Sequence, residues 1–426
     1  MRPQNVRSRH ARVGQSTDNY GRKHRPDYVL LTLCMSLLAV GLVVIYAIGP
    51  ALSVTGNVSS NYYAGKQLLA IALSAVAFGF TSRVPLEHWR RLYKPLLILA
   101  GLATLFALVM PVNPAYPAHR WVRLGSLSFQ SVELVKFAVL IAAAGFLAER
   151  MQKLELADFT KTFKPLLIAV LVLGIFIAGP QKIHAQSDLG SMGVIIAMLA
   201  AMAYVAGLPM KRLLQVVAVL AIGAVLVILP SGYRRDRLTT FLHPETNCQT
   251  TGYQECQAII GVGSGGMFGV GLGRSVQANG WVPEAANDSI FSIYAEIFGF
   301  VGCAVLLGLF GGLFARFTRI AERAPDDFSR LLVVGVLAWL SVQALINIGA
   351  MIGLLPLKGI TLPFISYGGT SVVFVAAAVG LVFQVSRYTA FVSPRVSNEA
   401  NRRSGYDNSR NGRRIRGAYH PDFSGR

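Results

Sequence analysis

Residues 281–314 read WVPEAANDSIFSIYAEIFGFVGCAVLLGLFGGLF, a polar segment ending in Asp288 and then an apolar run, Ser289 to Phe314, in which Glu296 is the only charged residue. A hydrocarbon layer of ~30 Å takes about 20 helical residues, so the run reads as a membrane span with a carboxylate at its mouth. An acid where such a chain emerges from lipid needs a reason. Asp288 is therefore the first candidate for a residue that does chemistry.

Working outward, the same pattern repeats along the chain. Apolar cores fall at Tyr28 to Ile48, Gln67 to Phe80, Pro95 to Met110, Val132 to Ala148, Pro165 to Ala178, Gly190 to Ala206, Leu213 to Leu229, Leu331 to Gly353 and Ser371 to Val385. With Ser289 to Phe314 they predict an all-α integral membrane protein of about ten transmembrane helices. Composition agrees: 53% of the 426 residues are hydrophobic and only 14% charged, which argues against a soluble domain. The first apolar run lacks an obvious cleavage site and follows a long polar tail, so it reads as a retained span.

Lys and Arg are kept on the cytoplasmic side, which sets the orientation. Basic tails at 1–27 and 391–426 flank a membrane domain at 28–390, and alternate loops carry Arg83 to Lys94, Arg150 to Lys164, Lys211 and Arg212, and Arg316 to Arg323. Both termini are thus expected in the cytoplasm, with a large extracellular loop, 230–288, between helices 7 and 8. The formal charge of +20 follows from topology and attraction to anionic membrane lipid, and nucleic acid is not expected as a partner. The tail from Asn398 reads as disordered.

The informative residues are the polar exceptions. Glu133 and Lys136 share a helix face and read as a structural ion pair. Arg120 and Arg123 flank Trp121 at the outer interface, against the retention rule, and suit an anionic headgroup or phosphate. Asp188 precedes the sixth span and can cap it. Arg234, Arg235 and Arg237 form either a pyrophosphate clamp or a solvated cluster. Cys248 and Cys256 share the outer loop, and both a disulfide and two free thiols remain open. Gly261 to Gly266 satisfies G-x-G-x-x-G, but without a βαβ context it is no nucleotide fingerprint. Its glycines suit tight turns or close approach to a ligand.

Two blocks then resemble the SEDS family (shape, elongation, division and sporulation): Tyr253 to Glu296, and Asn347-Ile-Gly with GLLPLKGITLPFISYGGTS from Gly353 to Ser371. The resemblance extends over roughly residues 28 to 390. Within it, Lys358-Gly359 and Thr361-Leu362-Pro363 look more like the division-specific FtsW branch than the elongation-specific RodA branch. The resemblance implies a peptidoglycan glycosyltransferase that polymerises lipid II at the septum. Its implied partners are a class B penicillin-binding protein and other division proteins. The family's essential aspartate falls on Asp288, its Pro-Glu on Pro283-Glu284, its Arg-Trp on Arg120-Trp121. The His and Thr of its motif are Ala286 and Asn287 here.

In that chemistry Asp288 would take the proton of an attacking sugar hydroxyl. Arg120, Arg123, Arg234, Arg237 or Lys358 would meet the departing pyrophosphate, with a divalent cation, Mg or Mn, replacing or assisting them. Glu296, about two helical turns past Asp288, would hold a cation or a polar partner. Ser366 and Tyr367, in a stretch that reads as broken helix, would line a substrate groove. A lipid II flippase and a noncatalytic division scaffold are the alternatives.

Overall fold

The computed structural model describes residues 22–23, 25–110, 119–124, 127–179, 186–228, 239–241, 248–250, 252–356 and 359–389. Each predicted span is a helix. They are α1 (Tyr28–Gly56), α2 (Tyr62–Thr81), α3 (Leu86–Val109), α4 (Ser131–Gln152), α5 (Lys164–Ala178), α6 (Leu189–Ala206) and α7 (Met210–Ile228). After the outer-loop helix α8 (Tyr253–Ser264) come α9 (Ile290–Glu322), α10 (Asp327–Met351) and α11 (Gly369–Val385). Among the described helices, eight are long and apolar enough to cross a membrane.

The helices do not share the core equally. α4 buries most of its length, whereas α2 and α3 turn most of theirs outward, the distribution expected when lipid solvates the rim of a bundle. α4 packs against α3, α6 and α10, and α11 lies along α2. Trp89 of α3 meets Phe137 of α4 edge-on at 5.7 Å.

Two short ribbons are the only strand pairings among the described residues. β2 (Trp121–Leu124) and β3 (Leu127–Gln130) form an antiparallel hairpin just before α4. β1 (Arg22–Lys23) pairs with β4 (Tyr388–Thr389), so the segments just before the first span and just after the last one meet. Asp27 caps α1 by accepting from the Leu30 N–H at 3.1 Å and pairs with Arg316 of α9. The start of α1 thus sits with the basic end of α9, the side that charge assigns to the cytoplasm.

The helix that starts beyond Asp288 is not the continuous span that its apolarity predicts. Gly299 (φ 64°, ψ −165°) breaks α9, and the glycine-rich segment after α8 inserts at the break. Val270 and Gly271 donate to the carbonyls of Glu296 and Ile297 at 2.9 and 3.1 Å, and Phe300 and Val301 donate to those of Gly266 and Met267 at 2.9 and 3.1 Å. Backbone groups freed inside a membrane helix are thereby satisfied by protein. A β-carbon on Gly269 would stand 2.1 Å from the Ile297 carbonyl oxygen. The glycines allow close approach, as expected, but to α9 rather than to a ligand. Part of the 230–288 loop is therefore docked on the bundle.

Candidate active site

After α10 the chain turns back into the bundle before α11 begins, and Leu362, Phe364, Ile365 and Ser366 of this loop are buried. Gly41, midway along α1, makes room: a β-carbon there would lie 2.8 Å from the Ile365 Cα and from the Phe364 carbonyl oxygen. Irregular backbone this deep survives only where protein covers it.

This loop holds the Asp288 segment. The Ser366 hydroxyl accepts from the Leu362 N–H and donates to the Asn287 carbonyl, both at 2.7 Å. The Tyr367 N–H donates to the Ala286 carbonyl at 2.8 Å. From α10, the Asn347 amide donates to the carbonyls of Asp288 and Ile360, each at 2.7 Å. Asp288 itself is only 8% exposed and faces a small recess lined by Ile346, Asn347, Ala350, Met351, Gly359 and Ile360.

Arg120 reaches the same place from the strand hairpin. Its Nε and one terminal nitrogen donate to the Gln186 and Ser187 carbonyls, both at 2.9 Å, which fixes the plane of the guanidinium. Its other terminal nitrogen, Nη1, points to the recess. A β-carbon on Gly359 would be 3.6 Å from Asp288 Oδ2 and 3.9 Å from Arg120 Nη1. Gly359 (φ 63°) therefore lies between an acid and a cation.

Other predicted residues serve the frame. Ser366 uses its hydroxyl to clamp the Asp288 segment. Tyr367 packs edge-on against Tyr63 at 5.4 Å, and burial, with help from the Tyr62 and Tyr63 phenols, pushes its own phenol up to about 12. It keeps its proton at ordinary pH and is no candidate base. Glu284 adopts φ 53° in the turn, where its side chain accepts from the Asn287 amide. Glu296 holds polar partners: it accepts from Ser275 Oγ at 2.5 Å and from the Val276 N–H at 3.0 Å. Asp188 caps α6, accepting from the Ser191 N–H at 2.9 Å and its hydroxyl at 2.8 Å. A disulfide joins Cys248 to Cys256.

Glu133 and Lys136 form a buried pair at 2.8 Å that extends further than the sequence suggests. Lys136 Nζ also donates to Gln343 Oε1 at 3.2 Å and lies 5.0 Å from the centre of the Trp339 ring. The Gln343 amide donates to the Thr361 carbonyl at 2.9 Å, so the pair is tied to the loop beside Asp288. Arg234, Arg237 and Lys358 lie outside the described residues, as does the Arg123 side chain. Among the described residues, no three His, Cys, Asp or Glu side chains cluster as a metal site would require.

Sequence reasoning passed over Gln343 and the bridging role of Asn347. Both were legible as amides four apart in an otherwise apolar span, where i, i+4 spacing puts them on one face.

Fold and site define a polytopic helical membrane protein with a buried carboxylate and an arginine at the outer mouth of its bundle. The chain belongs to the cell cycle protein family of FtsW, RodA and SpoVE, whose profile matches residues 28–390. It is 33% identical to stage V sporulation protein E of Bacillus subtilis over 87% of this chain and 99% of the relative. It is 35% identical to a probable peptidoglycan glycosyltransferase FtsW of Saccharophagus degradans, over 85% and 92%. A solved peptidoglycan synthase complex that coordinates polymerization and crosslinking contains a chain that superposes with a TM-score of 0.68 at 27% identity, covering 85% of this chain and 98% of that one. Thermus thermophilus RodA superposes at 0.62 with 28% identity, over 85% and 97%.

Proposed function

We propose that this protein is a peptidoglycan glycosyltransferase that polymerises lipid II on the outer face of the cytoplasmic membrane during septal wall synthesis, beside a class B penicillin-binding protein. The observation that carries this reading is the approach of both the buried Asp288 carboxylate and Arg120 to the same glycine, Gly359. Polymerisation needs a base for a hydroxyl and a cation for a departing pyrophosphate, and those are the two groups present. The relatives whose names include glycosyltransferase support it.

In the proposed step, a sugar hydroxyl oxygen of one substrate attacks the anomeric carbon of the other. The bond from that carbon to the phosphate oxygen breaks, and the pyrophosphate leaves with the electron pair. The hydroxyl proton passes to Asp288, and attack from the face opposite the leaving group inverts the centre. General-base help is worth ~10²- to 10⁴-fold. Arg120 offers a pre-oriented donor to the leaving charge, so little reorganisation is needed as that charge develops. A divalent cation would add positive charge at the departing pyrophosphate, replacing or assisting Arg120, and leave Asp288 free to take the proton.

The test is reconstitution of the full chain with its transpeptidase partner in liposomes supplied with lipid II. Wild type is expected to make glycan polymer and Asp288→Asn none, with both folded. Equal polymer from both would remove Asp288 as base, and polymer from neither would favour the flippase or scaffold.

A further inference from the structure

The turn that carries Asp288 is gripped on one side by Asn347, Ser366 and Tyr367, and on another by α8. Within the turn, Ser289 donates its hydroxyl to the Pro283 carbonyl at 2.9 Å and its N–H to the Glu284 carbonyl at 3.3 Å, which closes residues 283–289 around the aspartate. The Gln254 amide nitrogen, from the first turn of α8, donates to the Ser289 hydroxyl at 3.1 Å and reaches the Pro283 carbonyl at 3.5 Å. One turn further along α8, the Ala258 carbonyl accepts from the Ser292 hydroxyl at 2.8 Å. A β-carbon on Gly261 would stand 2.4 Å from that hydroxyl oxygen. α8 therefore lies flush against the residues that close the turn and open α9.

Little within α8 itself fixes it there. Its 12 residues make a helix that would be marginal alone in water, and its N-cap is Gly252, which has no side chain to cap it. What fastens the first turn is the Cys248–Cys256 disulfide. Cys256 stands two residues after Gln254 and is buried, whereas Cys248, ahead of the helix, is half-exposed. Disulfides form and persist on the oxidising, outer side of a membrane. The half-exposed Cys248 sulfur is the one that an external thiol can attack.

We propose that α8 is a positioning strut for Asp288, with Gln254 as its contact residue, and that the Cys248–Cys256 disulfide is a redox-sensitive lock on that strut. The inference rests on the polymerase reading, which supplies the reaction that Asp288 serves and the outer side on which the lock stays closed. To open it, a thiolate of a dithiol reductant attacks the Cys248 sulfur, and the S–S bond breaks with Cys256 leaving as thiolate. The reductant's second thiolate then attacks the reductant sulfur of the mixed disulfide and releases the Cys248 thiolate. Two electrons pass to the protein, both cysteines take up the protons that the reductant gave, and the reductant ends as a disulfide. With the tether gone, the first turn of α8 frays and Gln254 leaves Ser289. Asp288 is then held from one side alone, and a misplaced base costs rate before it costs binding.

The test uses the full chain with its transpeptidase partner in liposomes supplied with lipid II, before and after treatment with dithiothreitol. Reduction should lower kcat about tenfold or more with KM little changed, and reoxidation should restore it. Cys248→Ser with Cys256→Ser should match the reduced wild type and ignore dithiothreitol, which separates this bond from any in the partner. Gln254→Leu should be about as slow, and adding it to the double variant should cost nothing further, because residues that act as a unit are not additive. Hydrogen exchange over residues 284–290 should rise on reduction in the same samples. Unchanged kcat or unchanged exchange after reduction would overturn the proposal, as would losses from Gln254→Leu and the cysteine variants that simply add. Exchange that rises across the whole bundle would overturn it too, by marking a general loss of fold. No polymer from the oxidised wild type would fail the polymerase reading, and exchange at 284–290 would still decide whether the disulfide holds the turn.

Discussion

Asn347 of α10 holds Asp288 by its backbone: one amide nitrogen donates to the Asp288 carbonyl and to the Ile360 carbonyl, each at 2.7 Å. A candidate base in a loop owes its position to what grips the loop, and here the grip comes from a rigid span. Asn347→Leu keeps the side chain's size but leaves both carbonyls buried without this donor, at about 1–3 kcal/mol for an unsatisfied group. Polymerisation assays on the variant should show kcat reduced about tenfold or more and KM little changed, since a misplaced group costs rate before it costs binding. Loss of substrate affinity alone would contradict this.

Gly359 tests the gap between the acid and the arginine. A methyl group there would contact Asp288 Oδ2 and Arg120 Nη1 at ordinary van der Waals distances, so Gly359→Ala should fold. The positive φ adds strain of about 1 kcal/mol, which a thermal melt should register as a small drop in Tm. Turnover should fall much more, because the methyl group would stand against both groups. A Tm drop with full activity would show that the reacting atoms do not pass there.

The span pattern was legible because lipid imposes a length on every helix that crosses it, and each predicted span became one. The place of Asp288 just ahead of a span was also legible, from an acid at the start of an apolar run. What the sequence did not reveal is contact across the fold. Nothing in the spacing of Ser366 and Asn287 says that a hydroxyl will clamp a carbonyl 79 positions away. Nor does a run of glycines distinguish a ligand cradle from a wedge in a broken helix. Glu296 illustrates the same limit: an intramembrane carboxylate suggested a cation or a polar partner, and the spacing did not name Ser275 and Val276 as the partners.

The buried pair of Glu133 and Lys136 gives a stability prediction with a built-in control. Lys136→Met strips the carboxylate of its cation in a dry site, which typically costs about 3–5 kcal/mol, and also frees the Gln343 oxygen of one donor. Combining Glu133→Gln with Lys136→Met removes the stranded charge, so the double variant should melt above the single one in the same detergent. If the two melt alike, Lys136 acts through Gln343 and Thr361 rather than through Glu133.

The wedge at the break in α9 can be examined with two glycines six positions apart. Gly269 has φ 80°, and a β-carbon on it would stand 2.1 Å from the Ile297 carbonyl oxygen and 2.4 Å from its carbon. These are backbone atoms that cannot rotate aside, so Gly269→Ala should force the segment out of the break and free the hydrogen bonds that Val270 and Gly271 make to α9. Gly263 lies within α8, and a β-carbon there meets nothing within 4 Å. Gly263→Ala should be neutral or stabilise by up to about 1 kcal/mol, the helix preference of alanine over glycine. Thermal unfolding in one detergent compares them directly, and hydrogen exchange at Val270 and Gly271 should rise only in the first. Because the same segment leads through Ser275 and Glu296 to the turn before Asp288, Gly269→Ala should also lower polymerisation. Equal melting of the two variants would mean that the segment is not wedged into α9.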